Sequence, residues 1–270
     1  MKKFLIPVDF SIPSESAAEY AIEMTKDIPG TEIILYHVYK NDIFSTWKGG
    51  DNESRKTATD AELKIVKDFL KISPGQVITT ESEEGSFIDN ISTYVLSNSI
   101  DMVIMGINGS TRMAGALIGD NVLNLIRKIN TPIMIIPPDV KFKKISNVLF
   151  ASDFKDVARK TPFDSLKKVL DLFSPKLNIL NVDSEHFVEL SEAYKIEREE
   201  MEFKLKDYNP EFSFLRSFDF LEGITSFAAS KEIDAIITLP KKQGFINQLF
   251  KIYTKKLALA SHIPIIAVSM

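Results

Sequence analysis

The sequence predicts an α/β protein made of two tandem units, each an open five-stranded parallel sheet with helices on both faces. Three observations support this prediction. Short segments that are apolar throughout, as in parallel strands buried on both sides, alternate with longer segments of helical periodicity. The same series of apolar segments occurs twice along the 270 residues. Between the two series stand Pro137 and Pro138, which donate no backbone hydrogen bonds and suit a linker.

The first unit is assigned to residues 1–138. Its strands are predicted from four apolar segments and from a fifth, more polar segment that is expected nearer one side of the sheet. In chain order these strands cover 3–8, 32–38, 76–81, 101–105 and 132–136. Helical periodicity fills the intervals at 14–28, 53–72, 87–96 and 121–129. The second of these helices carries the apolar residues Leu63, Ile65, Val66, Phe69 and Leu70. Short connections of this kind produce right-handed crossovers, so the strands should run parallel.

The second unit, residues 139–270, repeats this pattern. The segment that ends in Asp9 and Phe10 matches the segment that ends in Asp153 and Phe154, and three further segments match in the same order. The strands of this unit are predicted at 146–151, 177–182, 212–218, 234–239 and 264–268. The charged segment 187–207 is predicted to be a long helix with a solvated face, and another helix is predicted at 246–260.

Composition argues against several classes of function. The chain has no cysteine, which excludes disulfides and thiolate chemistry. Its formal net charge of -4 gives no general attraction to nucleic acid or to anionic membranes. No segment reaches the ~20 apolar residues of a membrane span, so we expect a cytoplasmic protein with no nucleic-acid or membrane partner. His37, His186 and His262 are too far apart for a transition-metal motif, and His37 and His262 are expected to be packed and hydrogen-bonded.

The candidate site follows from the topology. In open parallel sheets, ligands bind beyond the carboxyl ends of the strands, where the strand order reverses. That rule brings together the Asp9 loop, the end of the second strand at Val38, and the loop that starts at Gly106. Glycines at 106, 109 and 119 lead into a helix, an arrangement that suits a phosphate chain. The spacing of these glycines matches neither the P-loop nor the dinucleotide motif.

With these residues the chain resembles the universal stress protein family in its tandem, two-domain form. The resemblance rests on the opening strand that ends in Pro7-Val8-Asp9-Phe10-Ser11, the Leu35-Tyr36-His37-Val38 segment, the G-x2-G-x9-G loop, and the closing Thr131-Pro132 strand. It implies an adenine-nucleotide alpha-hydrolase-like fold and a stress-response regulatory role that is largely non-catalytic. It also implies an ATP site in some members, and units that dimerise through their last strands.

The resemblance also assigns roles to residues. The acid at the end of the first strand would face the nucleoside, the backbone around Val38 would hold the adenine edge, and the glycine loop would wrap the phosphates. The implied ligand is ATP or another adenine nucleotide, and a magnesium ion could accompany it. The candidate cofactor-binding residues are Pro7, Val8, Asp9, Val38, Met105, Gly106, Gly109, Ser110, Gly119, Asp120 and Asn121.

Two positions depart from the family motif. Asp120 and Val122 stand where the family has hydroxyl residues. A carboxylate ~5 Å from a phosphate charge costs about 3 kcal/mol at an effective dielectric near 20, unless a cation intervenes. The alternatives are therefore ATP binding by the first unit, or a scaffold that holds another small molecule or none. A slow ATP hydrolase is the least supported option, because no general base has a visible partner.

The second unit departs further, because Leu239 and Lys242 replace the first two glycines. Asp153 is expected to cap the next turn rather than bind a ribose. A basic segment around Lys241, Lys251 and Lys255 is expected to be a solvated helix face, with anion docking as the alternative. The two units are expected to pair within the chain through the strands that end at Ile136 and Val268, and a homodimer is a further expectation.

Overall fold

The computed structural model describes residues 1–39, 52–107, 120–183, 192–239 and 262–269. The chain divides into two units, Met1–Phe142 and Lys143–Met270, a few residues beyond the predicted boundary. Each unit has its own parallel sheet and its own apolar core.

The strands of the first unit lie where the sequence predicts them. They are β1 (Lys2–Pro7), β2 (Thr31–Tyr39), β3 (Val77–Glu84), β4 (Met102–Gly106) and β5 (Ile133–Ile136). All pairs are parallel, and the order is β3-β2-β1-β4-β5. The polar strand β3 lies at one end of this series, as predicted. From β1 the chain moves outward to β3 and then returns to β4, so the order reverses between β1 and β4.

Four helices of the first unit are described. They are α1 (Ile12–Thr25), α2 (Asn52–Phe69), α3 (Phe87–Asn98) and α4 (Asp120–Lys128). Helix α1 begins directly after the β1 loop because Ser11 caps it, its side chain accepting a hydrogen bond from the Ser14 amide. Small and apolar residues of α1, among them Ala17, Ala18 and Ala21, are fully buried. Short side chains let α1 pack closely on the sheet beside the carboxyl end of β4.

Helix α2 corrects one detail of the apolar pattern. Leu63 and Val66 are buried, but Ile65 is 56% exposed and Phe69 is 82% exposed. At 100° per residue, positions 63 and 66 lie on one side of the helix and positions 65 and 69 on another. Only the first side packs inward. The apolar residues of α2 therefore extend beyond the face of the helix that is buried in the unit.

The second unit has the same arrangement of strands. They are β6 (Asn147–Ala151), β7 (Lys176–Asp183), β8 (Glu211–Arg216), β9 (Ala235–Thr238) and β10 (Ile265–Ala267), in the order β8-β7-β6-β9-β10. Its described helices are α5 (Val157–Lys160), α6 (Phe163–Phe173), α7 (Glu192–Leu205) and α8 (Phe220–Ser230), with a 3-10 turn at Lys206–Tyr208. The helix predicted at 187–207 is thus described from residue 192. The helix predicted at 246–260, with its basic residues, lies outside the described residues.

One anchor is repeated in both units. The aspartate that precedes the fourth strand of each unit accepts hydrogen bonds from the backbone at the start of the first strand. Asp101 Oδ2 accepts from the Lys3 amide at 2.8 Å. Asp234 Oδ2 accepts from the amides of Ser146 and Asn147, each at 2.9 Å. The repeated Ile-Asp pair of the sequence therefore has a structural role, which is to fix the first strand beside the fourth.

Within the described ranges, we find no helix that is both long and apolar enough to cross a membrane.

Candidate functional site

The β1 loop presents Asp9 at the carboxyl edge of the first sheet. Pro7 and Val8 are buried, and the Val8 amide donates to Tyr36 O at 2.9 Å, which continues the β1–β2 pairing. The chain then turns, so Asp9 is the first exposed residue after the strand. Pro7 and Val8 can therefore offer a ligand little beyond backbone atoms and a rigid support for Asp9.

Asp9 is held by the serines of the helix that follows. Its Oδ1 accepts hydrogen bonds from the Ser11 hydroxyl at 2.5 Å and the Ser11 amide at 3.2 Å. The Asp9 amide in turn donates to Ser14 Oγ at 3.3 Å. Partial burial raises the pKa of the Asp9 carboxyl, but hydrogen bonds from Ser11 and Ser14 outweigh it and the net pKa lies below its ordinary value. Asp9 is thus an ionised acceptor at neutral pH, which suits a hydroxyl donor better than a phosphate.

His37, on β2, contacts the same loop through a hydrogen bond and a ring contact. Its Nδ1 lies 2.6 Å from Val8 O, and because a carbonyl only accepts, this ring nitrogen carries the proton. The His37 ring also lies against the Phe10 ring, with centroids 4.6 Å apart and a tilt of 33°. Phe10 has a φ of +60°, a left-handed conformation that costs a non-glycine residue about 1–2 kcal/mol. The ring contact helps to hold Phe10 in it. The expectation that His37 is packed and hydrogen-bonded is confirmed, whereas His262, expected to be packed as well, is exposed.

The backbone that approaches Gly106 belongs to the protein itself. A Cβ at position 106 would lie 1.9 Å from Pro13 O and 2.5 Å from Pro13 C. These are backbone atoms of the first turn of α1, so they cannot swing away. Gly106 is therefore required for α1 to pack at the end of β4, and its part in binding a phosphate stays a prediction.

The other candidate residues fall into three groups. Val38, half-buried, lies near the carboxyl end of β2 on the same edge as Asp9, and Met105 is buried at the end of β4. Asp120 and Asn121 open α4, with Asn121 exposed, while the Asp120 side chain is outside the description. Gly109, Ser110 and Gly119 lie outside the described residues. The structure thus brings the Asp9 loop, Val38 and Gly106 to one edge of the sheet and leaves the rest of the glycine loop undescribed.

Val122 stands where the family motif has a hydroxyl residue, but it is buried, with an exposed fraction of only 3%. A threonine at this position would place its hydroxyl in the same buried surroundings. Asp120 is therefore the more informative of the two departures from the family motif.

A cluster of acids and tyrosines lies at the carboxyl end of β3. The Tyr36 hydroxyl donates to Glu83 Oε2 at 2.6 Å, and Asn90 Nδ2 donates to the same oxygen at 3.1 Å. Burial and the neighbouring Glu83 raise the pKa of the Tyr36 hydroxyl, and burial and Glu81 raise that of Tyr94. Both tyrosines therefore stay protonated at neutral pH. Among the described residues, no group of three or more histidines and acids is placed to hold a metal ion.

Aromatic residues pack around the β6 loop at the corresponding edge of the second unit. Asp153 Oδ1 accepts from the Lys155 amide at 3.2 Å, the turn-capping contact expected for it. The next residue, Phe154, is 2% exposed, and its ring contacts those of Tyr194 at 5.1 Å and Phe214 at 5.8 Å. Aromatic side chains thus occupy the surroundings of the β6 loop.

Sequence reasoning missed the contacts of Ser11 and Ser14 with Asp9, and it did not identify the partner of the His37 hydrogen bond. Ser11 and Ser14 could have been found, because two serines around a proline after an aspartate are typical of a helix cap. The His37 contact could not, because it joins residues far apart in the chain through the β1–β2 pairing.

Several known proteins are similar to this chain. A model of the universal stress protein family matches residues 1–137. Universal stress protein MJ0577 of Methanocaldococcus jannaschii is 30% identical over 159 residues, covering 50% of this chain and 94% of that protein. Universal stress protein MJ0531 of the same organism is 27% identical over 139 residues, covering 50% of this chain and 81% of that protein. In fold, a universal stress protein from Archaeoglobus fulgidus matches with a TM-score of 0.71 and 16% identity, over 99% of this chain and 98% of that one.

Proposed function

The chain belongs to the universal stress protein family, and we propose that its N-terminal unit is a regulatory module that binds an adenine nucleotide, ATP foremost. Occupancy of the site would tune association of the chain with other proteins. The observation that carries this proposal is the position of Asp9: an ionised, hydrogen-bonded carboxylate at the strand-order reversal.

The geometry of Asp9 supports a nucleoside as the ligand. Ser11 donates two hydrogen bonds to Oδ1, and we expect the second carboxylate oxygen to accept a ribose hydroxyl. The loop is preorganised, which reduces the entropy cost of binding. Val38 lies near the carboxyl end of the neighbouring strand on the same edge and would offer backbone groups to the adenine edge.

The phosphates would lie toward the start of α4. A helix N-terminus supplies unpaired amides and a partial positive charge. The first residue of α4 is Asp120, whose charge opposes a phosphate. A magnesium ion between Asp120 and the phosphates would remove this repulsion, so ATP binding should depend on magnesium.

Isothermal titration calorimetry with ATP, with and without magnesium, tests the proposal. We expect wild type to bind ATP with magnesium, and Asp9→Asn to bind it at least tenfold more weakly. Without magnesium, Asp120→Ser should bind up to about a hundredfold more tightly than wild type, the ratio that corresponds to about 3 kcal/mol of removed repulsion. No heat from wild type at millimolar ATP under either condition would refute the proposal.

A second candidate function is a scaffold whose first unit no longer binds ATP. It is favoured by Asp120 and by the occupation of the space beside Gly106 by Pro13. In that case Asp120→Ser should create ATP affinity that wild type lacks. Mass spectrometry of small molecules that copurify with the native chain would then identify any other ligand.

The association of units remains a proposal as well. We propose that the last strands of the two units pair within the chain and that two chains form a homodimer, as the family resemblance implies. Sedimentation equilibrium measures the mass of the native assembly; a mass of one chain at all concentrations would exclude the homodimer.

A further inference from the structure

His37 contacts the residues on both sides of Asp9. Its protonated Nδ1 donates to the carbonyl of Val8, the residue before, at 2.6 Å. Its ring packs against Phe10, the residue after, at 4.6 Å. These two contacts restrain the residues on both sides of Asp9. His37 is half-buried, so water competes only partly for its hydrogen bond.

The second unit contains the same hydrogen bond made by a different side chain. Residues 34–38 match residues 178–182 in the repeat, so Asn181 takes the place of His37 and Ser152 that of Val8. Asn181 Nδ2 donates to Ser152 O at 3.0 Å. The following turn is also repeated: Asp153 Oδ1 accepts an amide at 3.2 Å, and Phe154 has a φ of +47°. Two different side chains thus make one contact, to the carbonyl before the aspartate.

We infer that His37 is a positioning residue for the ligand site of the first unit, which holds Asp9 in place through the Val8 carbonyl. The hydrogen bond itself is observed. Its effect on ligand binding rests on the proposed nucleotide function. This role requires a hydrogen-bond donor at position 37. An asparagine can supply the donor, as Asn181 does in the second unit.

Three variants separate the hydrogen bond from other effects. His37→Asn keeps the donor, His37→Leu removes it, and Asn181→Leu makes the matching change in the second unit. In calorimetry with ATP and magnesium, we expect His37→Leu to weaken binding about tenfold, which corresponds to about 1.4 kcal/mol. His37→Asn should stay within about threefold of wild type, and Asn181→Leu should leave the affinity unchanged although it disturbs an equivalent loop.

A double-mutant cycle tests whether the effect passes through Asp9. In an Asp9→Asn background, His37→Leu should change ATP affinity by less than about threefold, because the group that it positions is already altered. If His37→Leu binds ATP as wild type does, or if His37→Asn is as weak as His37→Leu, the inference is wrong while the proposed function survives.

A readout without ligand keeps the inference testable if ATP does not bind. Titration of the Asp9 carboxyl by NMR follows the geometry of the loop directly. The pKa should stay below the ordinary value of 3.8 in wild type and His37→Asn, and rise toward it in His37→Leu. The same Asp9 titration in all three proteins would overturn the inference whatever the ligand.

Discussion

At the scale of single residues, Asp9 and Gly106 meet different physical requirements. Asp9 could be placed because a polar residue that follows a buried apolar strand must emerge at the carboxyl end of that strand. The role of Gly106 could not be foreseen in the same way. Its approach to Pro13 depends on how closely α1 packs against β4. The spacing of the glycines does not determine the distance between this helix and this strand.

Replacing Gly106 by alanine tests its packing role. We expect Gly106→Ala to lower the free energy of unfolding by about 3 kcal/mol or more, because the added Cβ meets backbone atoms 1.9 and 2.5 Å away. Gly75→Ala is the matched control. No heavy atom lies within 4 Å of its added Cβ, so only its φ of +89° opposes the change, at about 1–2 kcal/mol. Urea denaturation measures both; equal losses would contradict the packing role.

Two buried threonines should respond in opposite ways to the same substitution. Thr25 Oγ1 donates to Ala21 O at 2.8 Å and accepts from Gln76 Nε2 at 2.7 Å. Thr238 Oγ1 is buried with no hydrogen-bond partner in the structure as described. Thr25→Val should therefore destabilise the protein by about 1–3 kcal/mol, whereas Thr238→Val should stabilise it by about 1 kcal/mol. Thermal unfolding gives the signs, and a loss of stability in Thr238→Val would show that its hydroxyl has a partner.

At the scale of elements, strands were predicted more accurately than helix faces. Each described strand lies within a few residues of its predicted position, because strands that are apolar on both sides stand out from their neighbours. Helix α2 was harder, since Ile65 and Phe69 are apolar and yet exposed. Apolar residues on a surface helix do not identify which side packs, and only the tertiary structure decides it.

The two anchoring aspartates should differ in their contribution to stability. Asp234 is almost fully buried, accepts two backbone amides through Oδ2, and pairs with Lys143 through Oδ1 at 2.8 Å. Asp101 is more exposed and accepts one amide, from Lys3. We expect Asp234→Ala to cost about 3 kcal/mol and Asp101→Ala about 1 kcal/mol. Denaturant midpoints measure the difference.

Hydrogen exchange identifies the strand that each aspartate holds. Asp234→Ala should accelerate exchange at Ser146 and Asn147, while Asp101→Ala should do so at Lys3. A variant that accelerates exchange evenly through its unit would show that the aspartate acts on global stability and not on the start of the first strand.

At the scale of the whole molecule, the repeat explains what the two units share and where they differ. The strand order, the anchoring aspartate and the turn after the first strand occur in both. The differences lie at the carboxyl edge: Asp9 is exposed and Phe10 half-buried in one unit, whereas Asp153 is half-buried and Phe154 is buried among aromatic rings in the other. A common scaffold thus carries two unlike edges among the described residues, and we propose a ligand site for the first.

This difference between the two units predicts that bound ATP stabilises the first unit and not the second. ATP at a hundred times its dissociation constant should stabilise the unit that binds it by about 2.7 kcal/mol. In hydrogen exchange of the full chain, we expect the slowest amides of β1 and β4 to be protected about a hundredfold, and those of β6 and β9 to stay unchanged. Asp9→Asn at the same ATP concentration should lose most of this protection. Equal protection of both units would contradict a site confined to the first.

The strand at the end of the first sheet has a consequence for solubility. Of the described strands, β2 alone pairs with β3, and the outer side of β3 carries unused amides and carbonyls that another extended chain could take up. Glu81, Glu83 and Glu84 crowd the last part of this strand with exposed negative charge. Two copies that met edge to edge would bring these carboxylates together and repel each other. We therefore expect the acidic residues of β3 to oppose edge-to-edge aggregation of the protein.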